Sequence, residues 1–246
     1  MHGGKADCMK SLSGYRVRYA WNMCANYRPS SHDELMEHFG VAPPDAIYKD
    51  EAFPGYLAPI IRKPDTESSI GQRTAVAAVF GMVPHWAELK LSRSTYNARS
   101  ETVASKPSFR NAWRHDQFCI VPASVIYEPT YESGKPLREA IHSTDGSPLG
   151  VAGIWESKKA DNGLLLFSFS MLTINANDHP LMRRMHKPTD EKRMVVILQP
   201  DQYDAWLHCP AADAPAFLTQ YPASALQTTP APKMVRRPSQ ETSPDK

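Results

Sequence analysis

Four stretches of the 246-residue chain carry the residue types that chemistry needs. In "WNMCANYRPSSHDELMEHFG" (21–40), Met23 and Cys24 stand just ahead of the first legible structural signal, so a thiol nucleophile sits close to where folded structure begins. In "YNARSET" (96–102), strand alternation puts Asn97, Arg99 and Glu101 on one face. An amide, a guanidinium and a carboxylate do not make a core face, and a solvated strand edge is the plain structural reading. Glu128 closes the run "FCIVPASVIYE" (118–128) where it meets Pro129; a carboxylate at a strand mouth is more often a surface residue than a catalytic one. Finally, "HPLMRRMHKPTDEKRM" (179–194) sets Arg183, Arg184, Lys187, Lys192 and Arg193 against Asp190 and Glu191, with His179 and His186 inside it. Such a loop suits phosphate contacts, although most charge runs are only solvated loops. The two histidines lack a third Cys or His at ligand spacing, which ranks metal binding below a catalytic or structural role.

The elements that must position these residues are mostly strands. "RTAVAAVFGMV" (73–83), the run 118–128, "PLGVAGIWES" (148–157), "LLLFSFSMLTINA" (164–176) and "RMVVILQ" (193–199) are apolar or alternating and bounded by turn residues. Two helices stand out. Ser31 and Glu34 fit a capping box, followed by the stripe Leu35, Met36, Phe39 and a stop at Gly40, which predicts a helix over 32–39. A second, shorter one is expected over 201–208. The pattern predicts an α+β, β-rich single domain with a curved, barrel-like sheet and peripheral helices. Residues 1–22 show no period and read as an unstructured lead. The domain is expected over 23–225, and the Pro/Ser/Thr-rich end, 226–246, as a disordered tail.

Composition narrows the partners. A net charge of +2 is too small to mark a nucleic-acid binder, so any basic surface must be local. The four cysteines are scattered with no C-x-x-C pair, which argues against a disulfide framework or cysteine zinc site and favours a reducing cytoplasm. No apolar run approaches a membrane span.

Taken in order, Met23-Cys24, "GYLAP" (55–59), "FGMVPHW" (80–86), "NARSET" (97–102), "CIVPASVIYE" (119–128), "AGIWE" (152–156) and "MHKPTDEKRMVVIL" (185–198) resemble the SOS response-associated peptidase family, the abasic site processing proteins. The specific part is NARSET followed by V-P-A-x-x-x-Y-E. The resemblance implies a sensor of abasic sites in single-stranded DNA. Its members use an N-terminal cysteine, a 1,2-aminothiol whose amine condenses with the ring-opened sugar aldehyde and whose thiol then closes a thiazolidine. An α-amino group, with a pKa of about 7.7–8.0, is far more often unprotonated at neutral pH than a lysine. The resemblance makes Cys24 that residue, Asn97 the group orienting it, Glu128 and His186 the catalytic pair, and Arg99 a phosphate ligand. Trp86 becomes a base-stacking candidate, and Arg183, Arg184, Lys187 and Arg193 further phosphate contacts. Peptidase activity exposing the cysteine is implied, with lyase activity a further expectation, and no metal, organic cofactor, membrane or obligate protein partner is required. The family start Met-Cys-Gly-Arg is replaced here by Met23-Cys24-Ala25-Asn26, which removes one cation near the nucleophile. Because a thiazolidine needs a free amine, the expected mature chain begins at Cys24, with Met23 the true start. Two other classes compete: a Cys24–His186 thiol hydrolase acting on peptides or amides, and a non-catalytic single-strand binder.

Overall fold

The computed structural model describes residues 25–65, 72–160 and 163–232. The expected lead, the Met23–Cys24 pair and the last fourteen residues of the expected tail (233–246) lie outside the described residues. The strands are β1 (Tyr27–Pro29), β2 (Leu57–Arg62), β3 (Thr74–Phe80), β4 (Asn97–Arg99), β5 (Phe118–Thr130), β6 (Leu137–Ser143), β7 (Leu149–Lys159), β8 (Leu165–Asn175), β9 (Arg193–Val195), β10 (Ile197–Leu198) and β11 (Leu226–Pro230). The helices are α1 (His32–Glu37), α2 (Arg110–Arg114) and α3 (Tyr203–His208), with short 3-10 turns between elements.

The long apolar runs close on one another. β5 pairs with β7, β7 with β8, β8 with β3, β3 with β2, and β2 returns to β5 at Ile61–Ile120, giving a five-stranded barrel whose β3–β8 seam alone is parallel. Closure explains why these strands read as continuous apolar runs: both of their faces are covered. Phe80 stacks on Phe169 at 5.2 Å and meets the edge of Tyr27 at 5.2 Å, all three fully buried. Each such side chain contributes about 1.5–3 kcal/mol by leaving water. α1 forms as its capping box dictates, with Ser31 Oγ accepting from Glu34 N at 3.2 Å and Glu34 Oε2 accepting from Ser31 N at 2.7 Å. α3 pins the outside of β5 through Trp206, whose indole N–H donates to the Cys119 carbonyl at 2.8 Å.

Three differences from the sequence reading have physical causes. The tail does not begin at 226: Leu226–Pro230 adds β11 to the edge of β6, with Leu226 buried and the rest mostly exposed. A polar, Pro-ended strand is tolerated at an edge, and its composition resembles a tail. The run 193–199 divides into β9 and β10, because residues 193–195 pair with β8 and 197–198 with β7. Val196 bonds both sides, its N–H to the Leu172 carbonyl and its carbonyl to the Ala152 N–H. β6 carries Arg138, Glu139 and His142 on a strand that is half solvated, which hid it from an apolar pattern search.

The loop leaving β3 folds back tightly at Gly81, which has φ +109, and a Cβ there would lie 2.0 Å from the Ser92 carbonyl oxygen. Gly81→Ala is therefore expected to cost at least about 2 kcal/mol, from strained φ and a backbone displacement together. Denaturant unfolding of the two proteins measures it; a loss under half a kcal/mol would contradict this geometry.

Candidate active site

β5 ends by delivering Glu128 into the interior. The residue is 2% exposed and abuts a small cavity of about 10 Å³ lined by Ile126, Ile141, Met194 and Val195 among others. A carboxylate in apolar surroundings persists only where its neighbours serve it. The neighbour here is His186, 4% exposed, whose Nδ1 lies 3.7 Å from Glu128 Oε2. Its Nε2 lies 3.3 Å from the Arg193 carbonyl. A carbonyl can only accept, so Nε2 carries a hydrogen and Nδ1 is the nitrogen that faces Glu128.

The chain around His186 is held in an unusual shape. Its φ is +62, the left-handed region that L residues seldom adopt. Its N–H donates to the Pro129 carbonyl at 2.7 Å, Thr130 bridges Met185, and Thr130 Oγ1 donates to the Arg184 carbonyl at 3.2 Å. From below, the Lys192 ammonium donates to the carbonyls of Met185, His186 and Lys187 at 2.8, 3.3 and 2.7 Å. Partial burial pulls the Lys192 pKa below its ordinary value. Strain of this kind persists only where the surroundings over-determine it, and it clusters at functional sites.

β4 brings Asn97 and Arg99 alongside Met171 and Thr173 of β8, Ala98 pointing into the core between them. The carboxamide oxygen of Asn97 is buried, whereas Arg99 reaches solvent and donates to Glu191 Oε2 at 2.8 Å. Glu191 Oε1 accepts from Arg193 at 2.7 Å and from Asn175 at 3.1 Å. Arg99, Glu191, Arg193, His186 and Glu128 thus form one connected chain of polar contacts, from the sheet surface to the buried carboxylate. Beside it opens a cavity of about 670 Å³ lined by Tyr131, Arg183, Arg184, His186 and Lys192 among others.

Arg193 does not take the phosphate-facing place expected of it. Its side chain is 2% exposed, and all five N–H donors are used, by Glu101 (3.1 and 2.9 Å), Glu191, and the Thr173 carbonyl (2.8 Å) and hydroxyl (3.3 Å). Its role is to hold the strand that carries the His186 acceptor. Arg184 is forked onto Glu132 at 2.8 and 2.9 Å, while among the described residues no carboxylate is bonded to Arg183 or Lys187. His179 is structural: its Nε2 faces the Tyr221 carbonyl at 2.8 Å and its Nδ1 accepts two backbone N–H groups. Trp86 is 59% exposed on the loop after β3, anchored by Ser168 to the Val83 N–H and by Lys158 to the Ala87 carbonyl. Ser168 and Thr173, which faces Arg99, are five positions apart on β8, roughly 16 Å of strand between the anchor of the Trp86 loop and Arg99.

Some contributors had no sequence signal. Arg138, on the unrecognised β6, donates to Asn26 Oδ1 and to Glu51 at 2.9 Å and lies 3.5 Å over the Tyr127 ring. It brings a cation to the segment where the family start loses its arginine. Glu191 had a faint signal, an acid inside a basic run.

The Asn175 hydrogen bond, then Arg193 and Arg99, hold the Glu191 carboxyl below the ordinary carboxylate range, and the Arg184 fork does the same for Glu132. A carboxylate with a depressed folded pKa contributes stability that is present above its unfolded pKa and lost as pH falls through the folded value. The midpoint of thermal unfolding is therefore expected to decline from about pH 4.5 downward and to stay level from pH 5 to 7 for this group. A flat profile down to pH 3 would contradict it.

The architecture is a small closed barrel with a buried carboxylate–imidazole pair at one mouth and arginines around it. The chain belongs to the SOS response associated peptidase (SRAP) family, whose model matches residues 23–238. It is 31% identical over 143 residues to the abasic site processing protein YoaM of Bacillus subtilis, a match covering 56% of this chain and 58% of YoaM, so it spans less than two thirds of that relative. It is 28% identical over 192 residues to the abasic site processing protein YoqW of the same organism, covering 76% of this chain and 80% of YoqW. Among solved structures, a Bordetella bronchiseptica protein superposes with a TM-score of 0.78 at 38% identity, over 85% of this chain and all of that one.

Proposed function

We propose that this protein recognises abasic sites in single-stranded DNA and captures them covalently through Cys24, acting on cytoplasmic, nucleoid DNA. The observation that carries this reading is the buried Glu128–His186 pair beside an open cavity whose rim carries Arg183 as well as the Arg184–Glu132 pair. It puts acid–base groups next to a basic side chain open to a phosphate, and relatives named for abasic site processing support it.

The chemistry needs a primary amine on Cys24, which a chain started at Met23 gains when that methionine is removed. That amine adds to the C1′ aldehyde of the ring-opened sugar, and the carbinolamine loses water to give an imine. The Cys24 sulfur then bonds to the imine carbon, and its proton passes to nitrogen, closing the five-membered ring. Protons must be both removed and delivered along this path. Glu128 takes a proton from the amine, and His186, with Nε2 committed to the Arg193 carbonyl, exchanges its proton at Nδ1. Delivery to the ring oxygen is what opens the closed sugar. Asn97 orients the terminus and the sugar. Arg99, Arg183, Arg184 and Lys187 hold phosphates, and Trp86 stacks a flanking base farther along the strand. The family's peptidase activity, in this reading, is the self-processing that exposes Cys24.

An oligonucleotide bearing one abasic site, incubated with the protein in chelating buffer and run on a denaturing gel, tests the proposal. A shifted band that survives denaturation, and is missing with an intact oligonucleotide, is expected. A reversible complex alone would point to a simple binder, and no interaction at all to a thiol hydrolase.

A further inference from the structure

Glu191 occupies the Nη1 side of Arg99. Its carboxylate bonds Arg99 at 2.8 Å with one oxygen, and with the other accepts from the buried Arg193 and from Asn175. An exposed ion pair is ordinarily worth about 0–1 kcal/mol, because two long side chains must be ordered to make it. Here one partner is already ordered from behind: Arg193 is buried and forked onto Glu101. The acid is thus fixed against the guanidinium. Arg184 is likewise paired with an acid, both contacts of its fork falling on the exposed Glu132.

Resting on the function proposed above, we infer that Glu191 is a built-in competitor of the DNA backbone, which sets selectivity for the lesion over intact strand. A phosphate takes the Nη1 position of Arg99 only by displacing the carboxylate, and at the other donors it meets the same negative charge, which Arg193 and Asn175 hold in place. This lowers affinity for every single strand, damaged or not. Capture at the aldehyde is covalent and draws nothing from Arg99 once the strand is bound. Weak backbone binding followed by covalent bonding leaves the protein free to leave intact strands and retained only at lesions.

The test compares wild type with Glu191→Gln and Arg99→Ala. Glutamine keeps an acceptor for Arg193 and Asn175, removes the charge and presents no acceptor to Arg99. Binding to unmodified oligo-dT is followed by fluorescence anisotropy from 0.05 to 0.2 M salt, with the cross-linking rate measured at saturating abasic oligonucleotide. Glu191→Gln is expected to bind oligo-dT roughly three- to eightfold tighter, the affinity one neutralised phosphate contributes on single strands in that salt range, with a log–log salt slope steeper by about 0.7. Its saturated cross-linking rate should stay close to that of wild type, while its thermal midpoint at pH 7 should fall, because the ionised Glu191 contributes stability there. In the Arg99→Ala background, adding Glu191→Gln should give less than half of that gain. Equal or weaker oligo-dT binding by a folded Glu191→Gln protein would overturn the inference. So would a matching fall in its saturated cross-linking rate, because Glu191 would then be positioning Arg99 for the reaction. If Glu191→Gln fails to fold, Glu132→Gln at Arg184 carries the same expectation, and an unchanged affinity there overturns it. Cross-linking by wild type is scored separately: its absence defeats the proposed function, whereas its presence with no tightening defeats only this inference. Failure of every protein to bind oligo-dT defeats both.

Discussion

Cys24→Ala, prepared with its own free N-terminus, is expected to abolish the adduct that survives denaturation without reductant. Alanine keeps the α-amine, so an imine with the abasic aldehyde still forms, but no sulfur is present to close the ring. The two products separate by their chemistry. The imine survives a gel only after borohydride reduction, whereas the thiazolidine needs none. The informative comparison is therefore each protein with and without borohydride. A Cys24→Ala protein whose unreduced band equals that of wild type would place the bond elsewhere. Cys24→Ser separates the thiol's role from simple bulk; its hydroxyl is a far weaker nucleophile than a thiolate at neutral pH, so it should behave like alanine.

Glu128→Gln carries the second large effect. Positioned general acid–base groups contribute about 10²–10⁴-fold to rates, and the loss is expected in that range for cross-linking at saturating DNA. Binding to oligo-dT should be nearly unchanged, since Glu128 is only 2% exposed. His186→Gln should also slow the reaction, most clearly with the closed sugar. The double variant should lose little beyond the larger single loss, because the 3.7 Å pair acts as a unit. Fully additive losses would mean that the two residues work independently. Glutamine is chosen at 128 because it keeps the shape of the buried side chain; chemical denaturation of each variant reports any effect on folding.

Much of this arrangement was legible before any coordinates. The apolar runs of β3, β5, β7 and β8 have the signature of strands covered on both faces, and Ser31–Glu34 announced α1 by its capping chemistry. β6 and β11 were not legible, because strands half in water carry polar residues where an apolar run would otherwise mark them. Within the site, the family motifs named Asn97, Glu128 and His186. They could not say that His186 is reached through a left-handed backbone held by Lys192, since that depends on contacts the loop makes with the end of β5. Arg193 shows the limit most plainly. Basic loop residues look alike in sequence, and only burial distinguishes an arginine with all five donors engaged from exposed ones such as Arg183.

The central claim is that Cys24 bonds the lesion through both its amine and its sulfur. Mass spectrometric mapping of the adduct measures it directly: cross-link native protein to an abasic oligonucleotide, digest both polymers, and sequence the modified peptide. The expected result is a peptide that begins at Cys24, with residues 1–23 absent, carrying the sugar remnant at the sum of the two masses less one water. A linkage on a lysine side chain, or on a chain that still retains residues 1–23, would contradict it.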